Sequence, residues 1–125
     1  MVCYTLCCIM RKHTYTIAAG MNERDGAVNI EKMFERPDVE QLVSAFLLLE
    51  GEQEVKDFLT DLCTPREICD FSQRLQVARY LDEGEPYVEV QARTGASSTT
   101  VSRVSKSLNG EYGGYRKVLV KFGDQ

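Results

Sequence analysis

Residues Tyr87–Leu108, YVEVQARTGASSTTVSRVSKSL, decide the fold class of this chain. Val90 and Thr94 sit at helical spacing before Gly95, and Val101 and Val104 recur at helical spacing after it. Two short helices therefore flank one tight break. A glycine suits that break, because the turn needs a left-handed residue without a Cβ penalty. Ser97 or Ser98 can cap the second helix by accepting a hydrogen bond from a free backbone N–H. The small residue usual four positions before such a glycine is missing, since Gln91 stands there.

The outward face of the second helix, with its cap, carries Ser97, Ser98, Thr99, Thr100, Ser102, Arg103 and Lys106. An ordinary surface helix favours Glu, Lys and Ala, which hold helices better than a run of Ser and Thr. Short hydroxyls and cations, by contrast, reach phosphates and base edges without steric bulk. The spacing and this face together predict a helix-turn-helix over about residues 86–109 that reads double-stranded DNA. A generic helical hairpin in another all-α domain is the alternative.

Formal net charge is −4, which by itself argues against a nucleic-acid partner. The charge is segregated, however. Residues 87–121 hold six Lys/Arg against two Glu, a local +4, whereas residues 21–86 hold seven cations against sixteen carboxylates, a local −9. A basic module on an acidic body orients a protein on a polyanion. So few cations make modest single-site affinity unless two copies act together.

The rest of the chain is patterned as helix. Val39, Leu42, Val43, Phe46 and Leu47 form one apolar stripe, and after Gly51 the residues Val55, Phe58, Leu59 and Leu62 form another. Thr64-Pro65-Arg66-Glu67 has the form of a capping box with proline in the first turn. The helix it opens is predicted to bury Ile68, Phe71, Leu75, Ala78 and Leu81 and to stop near Gly84. Tyr115–Phe122 is predicted as a short last helix with Val118 and Phe122 inward. No stretch alternates long enough for a sheet, so the fold class is all-α.

Length and a 43% hydrophobic content fit one domain with a small core, assigned to residues 21–125. Residues 1–20 differ: Val2–Met10 is apolar and cysteine-rich, followed by Arg11-Lys12-His13. A secretory signal has its cations before the apolar run, not after it. This segment reads as an extension, disordered or upstream of the true start, with Met21 opening the functional chain. No apolar stretch approaches the ~20 residues of a membrane span. The five cysteines show no ligand pair at two-residue spacing; Cys63 and Cys69 read as packing thiols, and the protein as reduced and cytoplasmic.

Catalysis lacks its parts. The single histidine, His13, lies in the extension, no glycine-rich phosphate loop follows a strand, and neither Cys63 nor Cys69 has an evident activating base. The chain is read as a non-enzyme with no cofactor and no metal.

The stretch Leu62–Asn109 resembles the tryptophan repressor superfamily, and within it the small bacterial YerC/YecD group of repressor-like proteins. The matching residues are Leu62-Cys63-Thr64-Pro65, Gln73-Arg74-Leu75-Gln76-Val77-Ala78-Arg79, Thr94-Gly95-Ala96-Ser97 and Val101-Ser102-Arg103. The resemblance implies a multi-helix fold whose N-terminal helices interlock in a two-fold homodimer, with paired DNA-reading heads, in a bacterial transcriptional repressor. A physical argument points the same way: the stripes before Thr64 offer more apolar surface than one small domain covers, and pairing across a two-fold buries it.

By the same resemblance, Thr64, Arg74 and Arg103 match positions that hold an amino-acid corepressor. Two arginines converging on a carboxylate make an anion clamp; the other reading is that they tie helices together or touch phosphate. Val104 stands where the repressor has glycine beside the ligand's indole, and the loop between Gly84 and Tyr87 is one residue shorter. The expectation is a sequence-specific DNA-binding regulator that does not depend on tryptophan. A helical module binding a protein or a small amino-acid-like ligand through the same scaffold is the alternative.

Overall fold

The computed structural model describes residues 29–123, over which the chain forms seven helices and no strand. The expectations for residues 1–20, including Cys3, Cys7, Cys8 and His13, lie outside the described residues. Two compact units divide between Leu48 and Leu49.

The first unit contains α1 (Ile30–Phe34) and α2 (Pro37–Leu47). Asn29 caps α1 through its side-chain oxygen, which accepts from the N–H groups of Glu31 and Lys32 at 3.0 and 3.3 Å. Arg36 precedes α2 without a side-chain cap. Its guanidinium instead forks onto Asp38, with N–O distances of 3.0 and 2.6 Å, and that hydrogen bonding holds the Asp38 carboxyl below its ordinary value. Among the described residues, Leu42, Val43 and Phe46 of the α2 apolar stripe are about 40% exposed and Leu47 is 82% exposed.

The second unit contains α3 (Glu52–Leu62), α4 (Pro65–Asp82), α5 (Tyr87–Thr94), α6 (Ser98–Leu108) and α7 (Gly114–Gly123). Gly51 opens α3 at φ 92°, a conformation that favours glycine. The predicted capping box opens α4. Thr64 Oγ1 accepts from the Glu67 N–H at 3.3 Å, and Glu67 Oε2 accepts from the Thr64 N–H at 2.8 Å and the Thr64 hydroxyl at 2.9 Å. Those two donors hold the Glu67 carboxyl below its ordinary value.

Helix α4 is the strut against which α5, α6 and α7 pack. The core is Val77 and Ala78 from α4, Val90 from α5, Ala96 from the turn, and Val101 and Val104 from α6, with Tyr80, Leu81, Tyr115 and Leu119 packed around it. Val77, Val90 and Val101 are wholly buried, each contributing ~1.5–3 kcal/mol.

Three packing expectations need correction. Of the five α4 residues predicted to be buried, Ala78 alone is fully so; Phe71 is 50% exposed, and Val77 takes the central place instead. The reason is that the C-terminal half of α4 carries the bundle, while Phe71 lies a turn and a half before it. On α7 the inward pair is Tyr115 and Leu119; Val118 and Phe122 are 44% and 51% exposed, so the helix is rotated by about one residue from the predicted face. Cys63 ends α3 in extended backbone, half-buried, and Cys69 is exposed, so neither thiol is a core residue.

Candidate nucleic-acid interface

The helix-turn-helix is fastened at its turn by four hydrogen bonds. Gly95 adopts φ 67° and ψ 10°, and its N–H donates to the Gln91 carbonyl at 2.9 Å, so Gln91 serves the turn through its backbone. Thr94 Oγ1 donates to the Val90 carbonyl at 2.6 Å and accepts from the Ala96 N–H at 3.2 Å. Gln73 reaches from α4 to donate to the Thr94 carbonyl at 3.0 Å. Glycine thus supplies the conformation, threonine staples it, and glutamine attaches the turn to the strut.

Ser97, rather than Ser98, is the cap of α6: its Oγ accepts from the Thr100 N–H at 3.2 Å and lies 3.0 Å from the Thr100 hydroxyl. Ser98, Thr99, Ser102, Arg103 and Lys106 are exposed, whereas Thr100 is half-buried. Of the seven residues expected on the reading face, five stand free for an outside partner, and Ser97 and Thr100 also hold the helix start. No carboxylate lies in the first turn of α6. The positive end of its dipole is therefore not offset by a first-turn carboxylate, although the Thr100 N–H is already taken by Ser97.

The six cations of the basic segment are not equivalent. Arg93 pairs with Glu85 at 2.9 Å and lies over the Tyr80 ring at 5.2 Å. Arg116 donates to the Gly110 carbonyl at 2.7 Å. Arg103, Lys106, Lys117 and Lys121 make no ion pair among the described residues. Two of the six are therefore engaged in holding the fold, which charge counting did not separate.

A cavity of about 290 Å³ lies between α4, α6 and α7, lined by Arg74, Thr100, Arg103, Val104, Ser107 and Tyr115. It brings Arg74 and Arg103 together but not Thr64, whose hydroxyl is engaged with Glu67. Arg74 stacks over Phe71 at 5.7 Å. Val104, 3% exposed, packs the helix-turn-helix and forms one wall, and space remains beside it. Ser107 and Tyr115 were missed from sequence. Ser107 follows Arg103 by four residues, one helical turn, and that spacing was the available signal.

The family described as Trp repressor protein matches residues 37–122, more than half of the chain. The chain belongs to the Trp repressor family. It is 44% identical over 72 residues to the uncharacterized protein YerC of Bacillus subtilis (strain 168), covering 58% of this chain and 69% of that relative. The solved structure of a TrpR like protein from Eubacterium eligens ATCC 27750 aligns with TM-score 0.69 and 42% identity, over 74% of this chain and 95% of that one. A solved chain from Staphylococcus aureus aligns with TM-score 0.71 and 36% identity, over 79% of this chain and 98% of that one. The all-α, Trp-repressor-like fold of the family is thus the fold of this chain. The family match begins at α2 and ends at α7, so it includes every helix described except α1.

Proposed function

We propose that this chain is a DNA-binding transcriptional regulator, a repressor, that works as a homodimer with residues 21–125 as one functional unit. The observation that carries the reading is α6: a helix fastened at its turn, without a carboxylate in its first turn, presenting Ser98, Thr99, Ser102, Arg103 and Lys106 to solvent. Membership of the Trp repressor family supports it. Dimerisation through residues 38–62 is supported by the exposed apolar residues of α2, notably Leu47, and it doubles the phosphate contacts of each head. Among the described residues no helix is long and apolar enough to cross a membrane; a cytoplasmic location is part of the proposal.

The regulator is read as independent of L-tryptophan, because Val104 brings a branched side chain to the wall where the resemblance has glycine. The cavity beside Val104 favours a second reading, a module that takes a small anionic ligand between Arg74 and Arg103. The two separate in one experiment: selection of bound fragments from random duplex DNA, followed by titration of the selected duplex at increasing salt. Recovery of a two-fold-related sequence, with log affinity falling by about 0.9 per neutralised phosphate for each unit of log salt, supports the DNA reading. Failure to enrich any sequence refutes it.

A further inference from the structure

We propose that Tyr87 is a positioning residue that sets the attitude of the reading helix, and that the Tyr87–Ser105 contact is thereby a determinant of sequence discrimination. The Tyr87 phenol donates to Ser105 Oγ at 2.6 Å across 18 residues of sequence. Tyr87 is the first residue of α5 and Ser105 lies in the last turn of α6, so this bond sits at the end of the helix pair opposite the Gly95 turn. The pair is joined at both ends: by the turn at one and by the phenol at the other.

Between those ends the contact is made by Val90, Val101 and Val104. Their packing sets the angle at which α5 and α6 cross, and the Tyr87–Ser105 bond adds a directional restraint at the end of the pair that the Gly95 turn does not reach. A hydrogen bond is directional and weakens steeply when bent. Ser105 shares its turn of α6 with Ser102, Arg103 and Lys106, so whatever fixes Ser105 fixes the direction in which those three project. For a side-chain tip at a radius of ~6 Å, a rotation of about 20° is a displacement of about 2 Å, enough to break a base-edge hydrogen bond. Contacts to phosphate from flexible lysines tolerate such a shift. Tyr87 is 49% exposed, so its bond competes with water and adds little to overall stability. Its consequence lies in orientation.

The inference rests on the DNA-binding reading, and the test is arranged so that the two fail separately. Tyr87→Phe, Ser105→Ala, the double variant and Ser105→Thr are compared with the parent on the selected duplex and on a random duplex of equal length. Amide hydrogen exchange of the free proteins is measured in parallel. Tyr87→Phe and Ser105→Ala should each weaken binding to the selected duplex about three- to tenfold, with the double variant no weaker than either. Affinity for the random duplex should stay at the parent's value. Ser105→Thr keeps the hydroxyl and should restore selected binding, while exchange at residues 105–108 should quicken in Tyr87→Phe. Equal losses on both duplexes, additive losses, or no loss would overturn the assignment. If the parent selects no DNA, the proposed function fails, and exchange then decides alone: unchanged protection at residues 105–108 in Tyr87→Phe overturns the positioning role.

Discussion

Arg93 Nη1 lies 2.9 Å from Glu85 Oε1, so one cation of the basic segment, although its side chain is 51% exposed, is offset by a carboxylate of the same chain. The other Glu85 carboxylate oxygen, Oε2, is buried without a hydrogen-bond partner, and the Glu85 side chain is 21% exposed. Arg93→Ala should therefore cost ~1–3 kcal/mol of stability by leaving a largely buried carboxylate uncompensated. It should leave the salt dependence of DNA binding at the parent's slope. Arg103→Ala should do the reverse, with melting unchanged and a shallower slope. A shallower slope in Arg93→Ala would show that the Glu85 pair opens on DNA.

The hydroxyls of α6 divide by role. Ser97→Ala should destabilise the protein by about 1 kcal/mol, since it removes the acceptor of the Thr100 N–H. Ser102→Ala should not move the melting temperature, and the Thr100→Ala/Ser102→Ala double variant should weaken binding to the selected duplex with helicity intact by circular dichroism. Parental affinity in that double variant would place the recognition surface elsewhere.

Light scattering should give the mass of a dimer. Leu47, 82% exposed within the chain, is the position whose replacement by Glu should perturb the monomer least and the dimer most, because a charge buried at an interface without a partner is costly. A charge at Phe46 should act in the same direction. A stable folded monomer of the unmodified protein would sink the dimer.

The α4 capping box makes part of the stability depend on acid. The Glu67 carboxyl is held below its ordinary value of 4.5 by the Thr64 N–H and hydroxyl. A depressed folded value means that this contribution is complete above the unfolded value and is lost as pH falls through the folded one. Denaturant midpoints measured downward from pH 5 should fall less steeply in Glu67→Gln than in the parent. Thr64→Ala should lower stability by about 1 kcal/mol at neutral pH. Parallel acid profiles for Glu67→Gln and parent would remove the capping box from the pH response.

Tryptophan should neither bind appreciably nor tighten DNA binding. Overfilling a ligand's place by a branched side chain typically costs ~1–3 kcal/mol. Val104→Gly should lower stability by about 3 kcal/mol, from about 0.8 per lost methylene-sized group and about 1 for glycine within a helix. Calorimetric titration of the parent with L-tryptophan, with binding to the selected duplex measured in its presence and absence, checks the point. Saturable micromolar binding coupled to tighter DNA binding would restore the corepressor role to Arg74 and Arg103.

Much of the candidate site could be read from sequence because its signals are local. Gly95, a serine cap at position 97 or 98 and the exposure of Ser102, Arg103 and Lys106 each depend on residues within a turn of one another. The engaged state of Arg93 could not be read in this way. Glu85 lies eight residues before it, on the other side of Pro86, and only the path of that loop brings the two charges together.

What the amino-acid order determined by itself was the punctuation: α4 opens after a Thr64 cap, the chain turns at Gly95, and α6 opens at one of two adjacent serines, of which the structure uses Ser97. Each is settled by hydrogen bonds reaching no more than four residues, so the local chain contains the whole interaction. Tertiary structure decided which apolar residues became core and which polar ones met. Helix α7 offers both Tyr115/Leu119 and Val118/Phe122 at inward spacing, and only packing against α4 and α6 selects the first pair. The pairing of Tyr87 with Ser105, the reach of Gln73 to Thr94 and the convergence of Arg74 and Arg103 on one cavity likewise depend on the angles at which helices cross. Those angles come from how side-chain ridges fill the space between helices, a property of the assembled bundle that no single helix carries in its own periodicity.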